Sequence, residues 1–159
     1  MRCFFLLYFS SFSVFSVANY FTVKLKIMNK RKPRYAIKRA AAGLGFFTLV
    51  SIPNDKKIIE YIGPILTREE ADKKGGKYLM TIDDEHLIDG SPRSNAARYI
   101  NHSCRPNAKA YRTGVRIWIW SIRAIEAGEE ITYDYGKNYF DDFIKPVGCK
   151  CPKCLKKSK

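Results

Sequence analysis

Downstream of residue 33 the chain is a series of short apolar runs, most of four to eight residues, cut by turn-forming residues. Residues 34–38 (Arg-Tyr-Ala-Ile-Lys) read as a strand, and the small residues 40–45 as a turn leading into the apolar run 46–50. Pro53-Asn54-Asp55 predicts another turn, and residues 57–62 a further strand. Thr67-Arg68-Glu69-Glu70 carries the signature of a capping box, so a short helix opens there and ends at Gly75-Gly76. Strands are predicted over 78–82 and 86–88, and one or two helical turns over 94–100. Residues 115–122 alternate apolar and polar at first and then read as a buried strand carrying Trp118 and Trp120. Gly128-Glu129-Glu130 turns the chain into a last strand, 131–135. No repeat or low-complexity linker interrupts the series, and the sum is a mostly-β domain with little helix.

The first residues break this pattern. From Phe4 to Val23 there are 20 residues without a charge, six of them Phe and four Ser. With Arg2 ahead and Ser16-Val17-Ala18 behind, the stretch resembles a signal peptide. It is also long enough to cross a bilayer, although its serines suit that poorly. A third reading takes Met28 as the true start. Residues 1–28 are therefore set apart as a hydrophobic leader, with 29–140 as the main domain and 141–159 as a tail.

Charge narrows the partners. Lys and Arg number 29 against 15 Asp and Glu, a formal net charge of +14. Such an excess suits an anionic partner, nucleic acid or a protein bound to it. The alternative is a lysine-rich solvated surface, because the basic residues are spread out, densest over 30–39 and 145–159. Ten Tyr and ten Phe are many for 159 residues, and they either fill a core or line pockets.

Four strings carry specific chemistry. Asn101-His102-Ser103-Cys104 taken alone is a polar turn, but Arg98-Tyr99-Ile100 precedes it and Pro106-Asn107 follows. Downstream comes Gly128-Glu129-Glu130-Ile131-Thr132-Tyr133-Asp134-Tyr135-Gly136. Upstream lie Gly43-Leu44-Gly45-Phe46 and Glu60-Tyr61-Ile62-Gly63. In this order and spacing, across residues 34–154, the set resembles the motifs of SET-domain protein-lysine methyltransferases. The resemblance implies a SET β-fold of small curled sheets, with a C-terminal segment threaded under a loop as a pseudoknot. It implies S-adenosylmethionine as methyl donor and a lysine of a histone or other basic chromosomal protein as acceptor. A cytoplasmic or chromosome-associated location suits that chemistry, with a secreted effector as the alternative if the leader is used; no stable membrane partner is expected.

The residue types suit the task. A lysine amine near its usual pKa of about 10.4 is protonated and cannot attack a methyl carbon. An aromatic channel beside a sulfonium cation favours the neutral amine, by desolvation and by like charge. The resemblance makes Tyr135 the catalytic tyrosine, Tyr133 the ring that limits how many methyls fit, and Tyr78 an earlier channel residue. Gly43, Leu44, Gly45 and Phe46 are implied to approach the donor by main chain, a side chain at Gly45 being expected to clash. Arg98, Asn101 and His102, with Tyr135, complete the implied cofactor site. Tyr35, Tyr99 and Tyr111 read instead as core filler with satisfied hydroxyls.

Cys149, Cys151 and Cys154 form Cys-x-Cys-x-x-Cys, one thiol short of a tetrahedral zinc site. Read as residues alone, they leave zinc, free thiols and disulfides open. The resemblance supplies Cys104 as the fourth ligand of a structural zinc in a post-SET tail. Two departures stand out. Pro64 follows Gly63 where the family often has Glu, and no cysteine-rich segment precedes Arg34. Substrate contacts over 67–76 are expected to be few, because that region is short.

Overall fold

The structure is a computed structural model that describes residues 33–156. The leader reading of residues 1–28 lies outside the described residues. From Pro33 onward the chain forms one unit.

Ten short strands form three small sheets in that unit. In the first, β1 (Tyr35–Ala40) and β2 (Gly43–Thr48) make a hairpin in which Ala40 faces Gly43. The small-residue turn is therefore tighter than its composition suggests. Gly43, at φ +117°, already belongs to the returning strand, a backbone conformation that few side chains tolerate. β10 (Glu130–Tyr133) adds antiparallel to β2, and the two-residue β7 (Asn101–His102) pairs parallel with β10. The last strand stops at Tyr133, so Tyr135 lies beyond it.

The second sheet runs β3 (Lys57–Tyr61), β9 (Arg116–Ser121), β8 (Ala108–Thr113). β9 shows the expected alternation, with Ile117, Ile119 and Ser121 buried and the tryptophans between them half-buried. The third sheet is β4 (Ile65–Thr67), β6 (His86–Asp89), β5 (Leu79–Thr81). Helix α1 (Arg68–Lys74) sits between its strands. Glu70 N–H donates to the Thr67 hydroxyl and Thr67 N–H to the Glu70 carboxylate, completing the capping box; Gly75, at φ +58°, stops the helix. The turn expected near 94–100 is the 3-10 turn Ala96–Tyr99.

Branched aliphatics dominate the core: Ile52, Ile100, Ile117, Ile119, Ile125 and Ile131, with Phe46 and Ala108, are all at most 4% exposed. Each fully buried Ile contributes about 1.5–3 kcal/mol. Tyr35 behaves as core filler, stacked on Phe46 with its hydroxyl donating to the Ile58 carbonyl. Tyr111 does not. It is 44% exposed on the outer side of β8, because β8 alternates and places Ala108 and Ala110 on the inner side.

Candidate active site and metal centre

Two stretches distant in sequence are knitted together at the centre. Beyond the β7–β10 pairing, Ser103 N–H donates to the Tyr133 carbonyl and Asn107 N–H to that of Thr132. The buried Asn107 side chain accepts from Thr132 N–H at 2.9 Å and donates to the Glu130 carbonyl at 2.8 Å. Its donors and acceptor are thus satisfied by the strand it crosses, as a buried amide requires. The crossing sets His102 beside Tyr135. Tyr135 N–H donates to His102 Nδ1 at 3.2 Å, and the Tyr135 hydroxyl donates to the Ile100 carbonyl at 2.6 Å.

Two cavities meet there. One, of about 460 Å³, is walled by Tyr61, Tyr78, Met80, Tyr133, Tyr135 and Tyr139. The other, of about 480 Å³, is bounded by Leu44, Asn101, His102, Phe143 and the tail around Cys149–Cys151. Tyr78, Arg98, Tyr135 and Tyr139 line both. These four residues form the wall common to both cavities.

Each shared residue is held in place. Tyr78 has φ +73°, unusual for a residue with a side chain. Its carbonyl accepts from the Tyr61 hydroxyl at 2.8 Å and from Gly90 N–H at 2.9 Å, which fixes that conformation. The Arg98 guanidinium stacks 4.4 Å from the Tyr78 ring centre, and its buried Nε has no hydrogen-bond partner. Tyr139 packs edge-on against Tyr135 at 4.9 Å, and Tyr133 lies 4.8 Å from Tyr135 on another side. Burial pushes the Tyr133 and Tyr135 phenols well above their ordinary pKa, with neighbouring tyrosines adding to the shift. Both therefore stay neutral hydroxyls at neutral pH.

The glycine-rich string divides its tasks. Leu44 lines the second cavity, whereas Phe46, between β1 and β10, turns into the core at 2% exposure and lines neither cavity. A side chain at Gly45 would collide with the Glu130 carboxylate and the Ala40 Cβ, so the constraint there comes from packing within the domain. Asn101 Nδ2 ties this corner, donating to the Leu44 carbonyl at 3.1 Å and to Glu130 Oε1 at 2.7 Å.

The sulfurs of Cys104, Cys149, Cys151 and Cys154 all lie within 4.8 Å of one another, with Cys104 to Cys149 and Cys104 to Cys154 at 3.8 Å. A tetrahedron with zinc–sulfur bonds of about 2.3 Å has edges of about 3.8 Å, so the four thiols fit zinc. Burial pushes the Cys104 thiol up to about 12, and the other thiols reinforce it. At Cys151 burial works the same way, but N–H groups of Cys104 and Cys154 and neighbouring thiols outweigh it and bring the group down to about 6. His102 joins the two sites. Its Nδ1 accepts from Tyr135, which places the proton on Nε2, 3.4 Å from Cys104 Sγ. Burial, opposed by Asp134, lowers its pKa and keeps the ring neutral.

Tyr61 and Tyr139 are pocket residues that sequence alone does not single out. Tyr61 stands inside the Glu-Tyr-x-Gly string, which is a usable signal. Tyr139 lies past the last motif, and only the helical run 137–147 brings it back to Tyr135.

Comparison with known proteins is consistent with this geometry. The family model for the SET domain matches residues 43–136. The chain is 36% identical over 146 residues to histone-lysine N-methyltransferase set1 of Dictyostelium discoideum, covering 83% of this chain and 10% of that protein. It is 38% identical over 146 residues to histone-lysine N-methyltransferase set-2 of Caenorhabditis elegans, covering 84% and 9%. Similarity to human histone-lysine N-methyltransferase 2D is 36% over 129 residues, 74% of this chain and 2% of that protein. The chain thus spans a tenth or less of the length of these relatives.

Proposed function

Because the chain belongs to the SET domain family, we propose that it transfers a methyl group from S-adenosylmethionine to a lysine ε-amine of a histone or another basic chromosomal protein. The observation that carries this reading is the pair of cavities with Tyr135 in their common wall. A two-substrate transfer needs its partners approached from opposite sides of one point, with positioning supplying most of the rate.

The second cavity suits the donor. Its wall mixes apolar Leu44, Phe143 and Val147 with polar Asn101 and His102, and Arg98 offers an unpartnered buried donor to a carboxylate. S-adenosylmethionine, when bound, supplies an electrophilic methyl on a sulfonium sulfur. The first cavity suits the acceptor, since tyrosine rings cover a lysine's methylene stem and Arg98 disfavours a second positive charge there. Tyr135 has committed its proton to Ile100, so its oxygen lone pairs are left to face the reacting groups. In this reading residues 29–140 are the catalytic body and 141–159 the zinc-bearing tail that closes the donor cavity. The positive charge of the chain supports a further contact with nucleic acid, as on a chromosomal substrate.

Incubation of labelled donor with histones and a whole-cell extract, wild type beside Tyr135→Phe, tests the reading. Label on lysine from the wild type and near-complete loss in the variant, with donor affinity retained, is expected. A Phe variant with most of its turnover would overturn the role of Tyr135.

We also propose that the reaction stops mainly at one or two methyls. The Tyr133 hydroxyl borders the same cavity and can hold the amine or a water. Displacing such a partner with a methyl costs about 1–3 kcal/mol, and each 1.36 kcal/mol is about tenfold in rate. Tyr133→Phe should shift the product toward trimethyl-lysine by mass spectrometry; trimethyl product already dominant in the wild type would contradict this.

A further inference from the structure

The β3-β9-β8 sheet has a second face. Its inner side sends Ile117, Ile119 and Ala108 into the core and Ala110 into the first cavity. Alternation turns Lys109 and Tyr111 of β8, and Arg116, Trp118 and Trp120 of β9, to the outside. Register sets Tyr111 opposite Trp118 and Lys109 opposite Trp120, while Lys57 meets Trp120 from the other edge. Tyr111 packs edge-on to Trp120 at 6.4 Å. Lys57 Nζ stands 4.2 Å from the Trp118 ring centre and 5.6 Å from that of Trp120, Arg116 4.9 Å from Trp118, and Lys109 Nζ 5.4 Å from Tyr111. Four cation–ring contacts thus gather on one small sheet.

Exposed Tyr111 and the half-buried Trp118 and Trp120 lie side by side, and an apolar patch rimmed by charged residues is the kind that marks an interaction site. Arg116 is spoken for by a two-pronged pair with Glu60, at 2.6 Å for each bond. Lys57 and Lys109 stand beside rings, with Lys57 also within reach of the Glu60 charge, and both are exposed. We propose that this face binds single-stranded nucleic acid, with Tyr111, Trp118 and Trp120 stacking on bases and Lys57 and Lys109 holding phosphates. Successive outward residues of a strand stand about 6.8 Å apart, room for unstacked bases to lie against successive rings. A duplex hides its base faces, and an acidic peptide would engage the lysines while leaving the rings without a role. The net charge of +14 favours a polyanion. The site lies on the side of the sheet away from Tyr135, and it does not depend on the methyl-transfer reading.

The chain has two tryptophans and both lie on this face, so their fluorescence reports it directly. The full chain is titrated with oligothymidylate and oligouridylate of about 12 nucleotides, within the usual single-strand site sizes. Saturable quenching by either strand is expected, and the tighter of the two identifies DNA or RNA as the partner. Tyr111→Ala, an exposed position, should weaken binding about tenfold or more. Lys57→Gln with Lys109→Gln should reduce the slope of log affinity on log salt by about 1.4, two phosphates at about 0.7 each. Polyglutamate should neither quench nor compete well. Absence of binding, binding without a tryptophan signal, equal quenching by polyglutamate, or unchanged affinity in Tyr111→Ala would each overturn the proposal.

Discussion

The two walls of the second cavity are built by opposite means. On one side, the crossing of residues 100–107 with 130–135 rests on Ile100, Ile131 and Ala108, none above 1% exposed, and on paired backbone and amide hydrogen bonds. On the other, residues 137–156 contribute a single buried residue, Cys151, and leave Val147 73% exposed. A segment of that length with so little apolar burial cannot offset its own ordering entropy, which runs to about 1–2 kcal/mol per residue. Four sulfurs at zinc-fitting separations supply what the missing core does not. The crossing is held by the fold, and the tail has a site for a metal to hold it.

Removing the metal separates the two most sharply. The purified chain should hold one zinc, and chelation or Cys151→Ser should lower methyl transfer more than a hundredfold. Amide exchange over 145–155 should then become fast while 100–107 and 130–133 stay protected. Loss of protection in both regions together would show that the crossing also depends on the metal.

Asn107→Ala attacks the other wall. It leaves the Thr132 N–H and the Glu130 carbonyl without partners in a buried site, which should cost about 3 kcal/mol of stability by denaturant unfolding. Zinc content of the folded fraction should not change.

His102 joins the walls and gives the smallest effect. His102→Phe keeps a ring but loses both the acceptor for Tyr135 N–H and the donor toward Cys104 Sγ. Zinc affinity should fall about tenfold, as when other outer partners of metal ligands are removed, with a parallel drop in transfer. Altered transfer with unchanged zinc affinity would limit His102 to the tyrosine side.

Legibility from sequence divides along the same line. The capping box at Thr67, the alternation of β9 and the strand at 57–61 are readable because local pattern decides them. β7 is two residues long, and no periodicity can mark it. β8 alternates Ala-Lys-Ala-Tyr, where alanine is too weak an apolar signal to stand out, and the exposed position of Tyr111 is hidden with it. The four metal-site cysteines and the central tyrosines are legible through motif order. What brings Tyr139 to Tyr135, or Arg98 onto Tyr78, is tertiary and has no local signal.

The proposed role of Tyr135, in the wall common to two cavities, is tested most directly by the reaction at that point. Zinc-loaded full chain, labelled S-adenosylmethionine and histones are incubated with wild type and Tyr135→Phe, and the product lysine is located by mass spectrometry while donor affinity is measured separately. Methyl on a lysine ε-amine is expected from the wild type, and at least a hundredfold less from a variant that binds donor as before. Donor binding without transfer to any lysine, or a Tyr135→Phe variant as fast as the wild type, would contradict it.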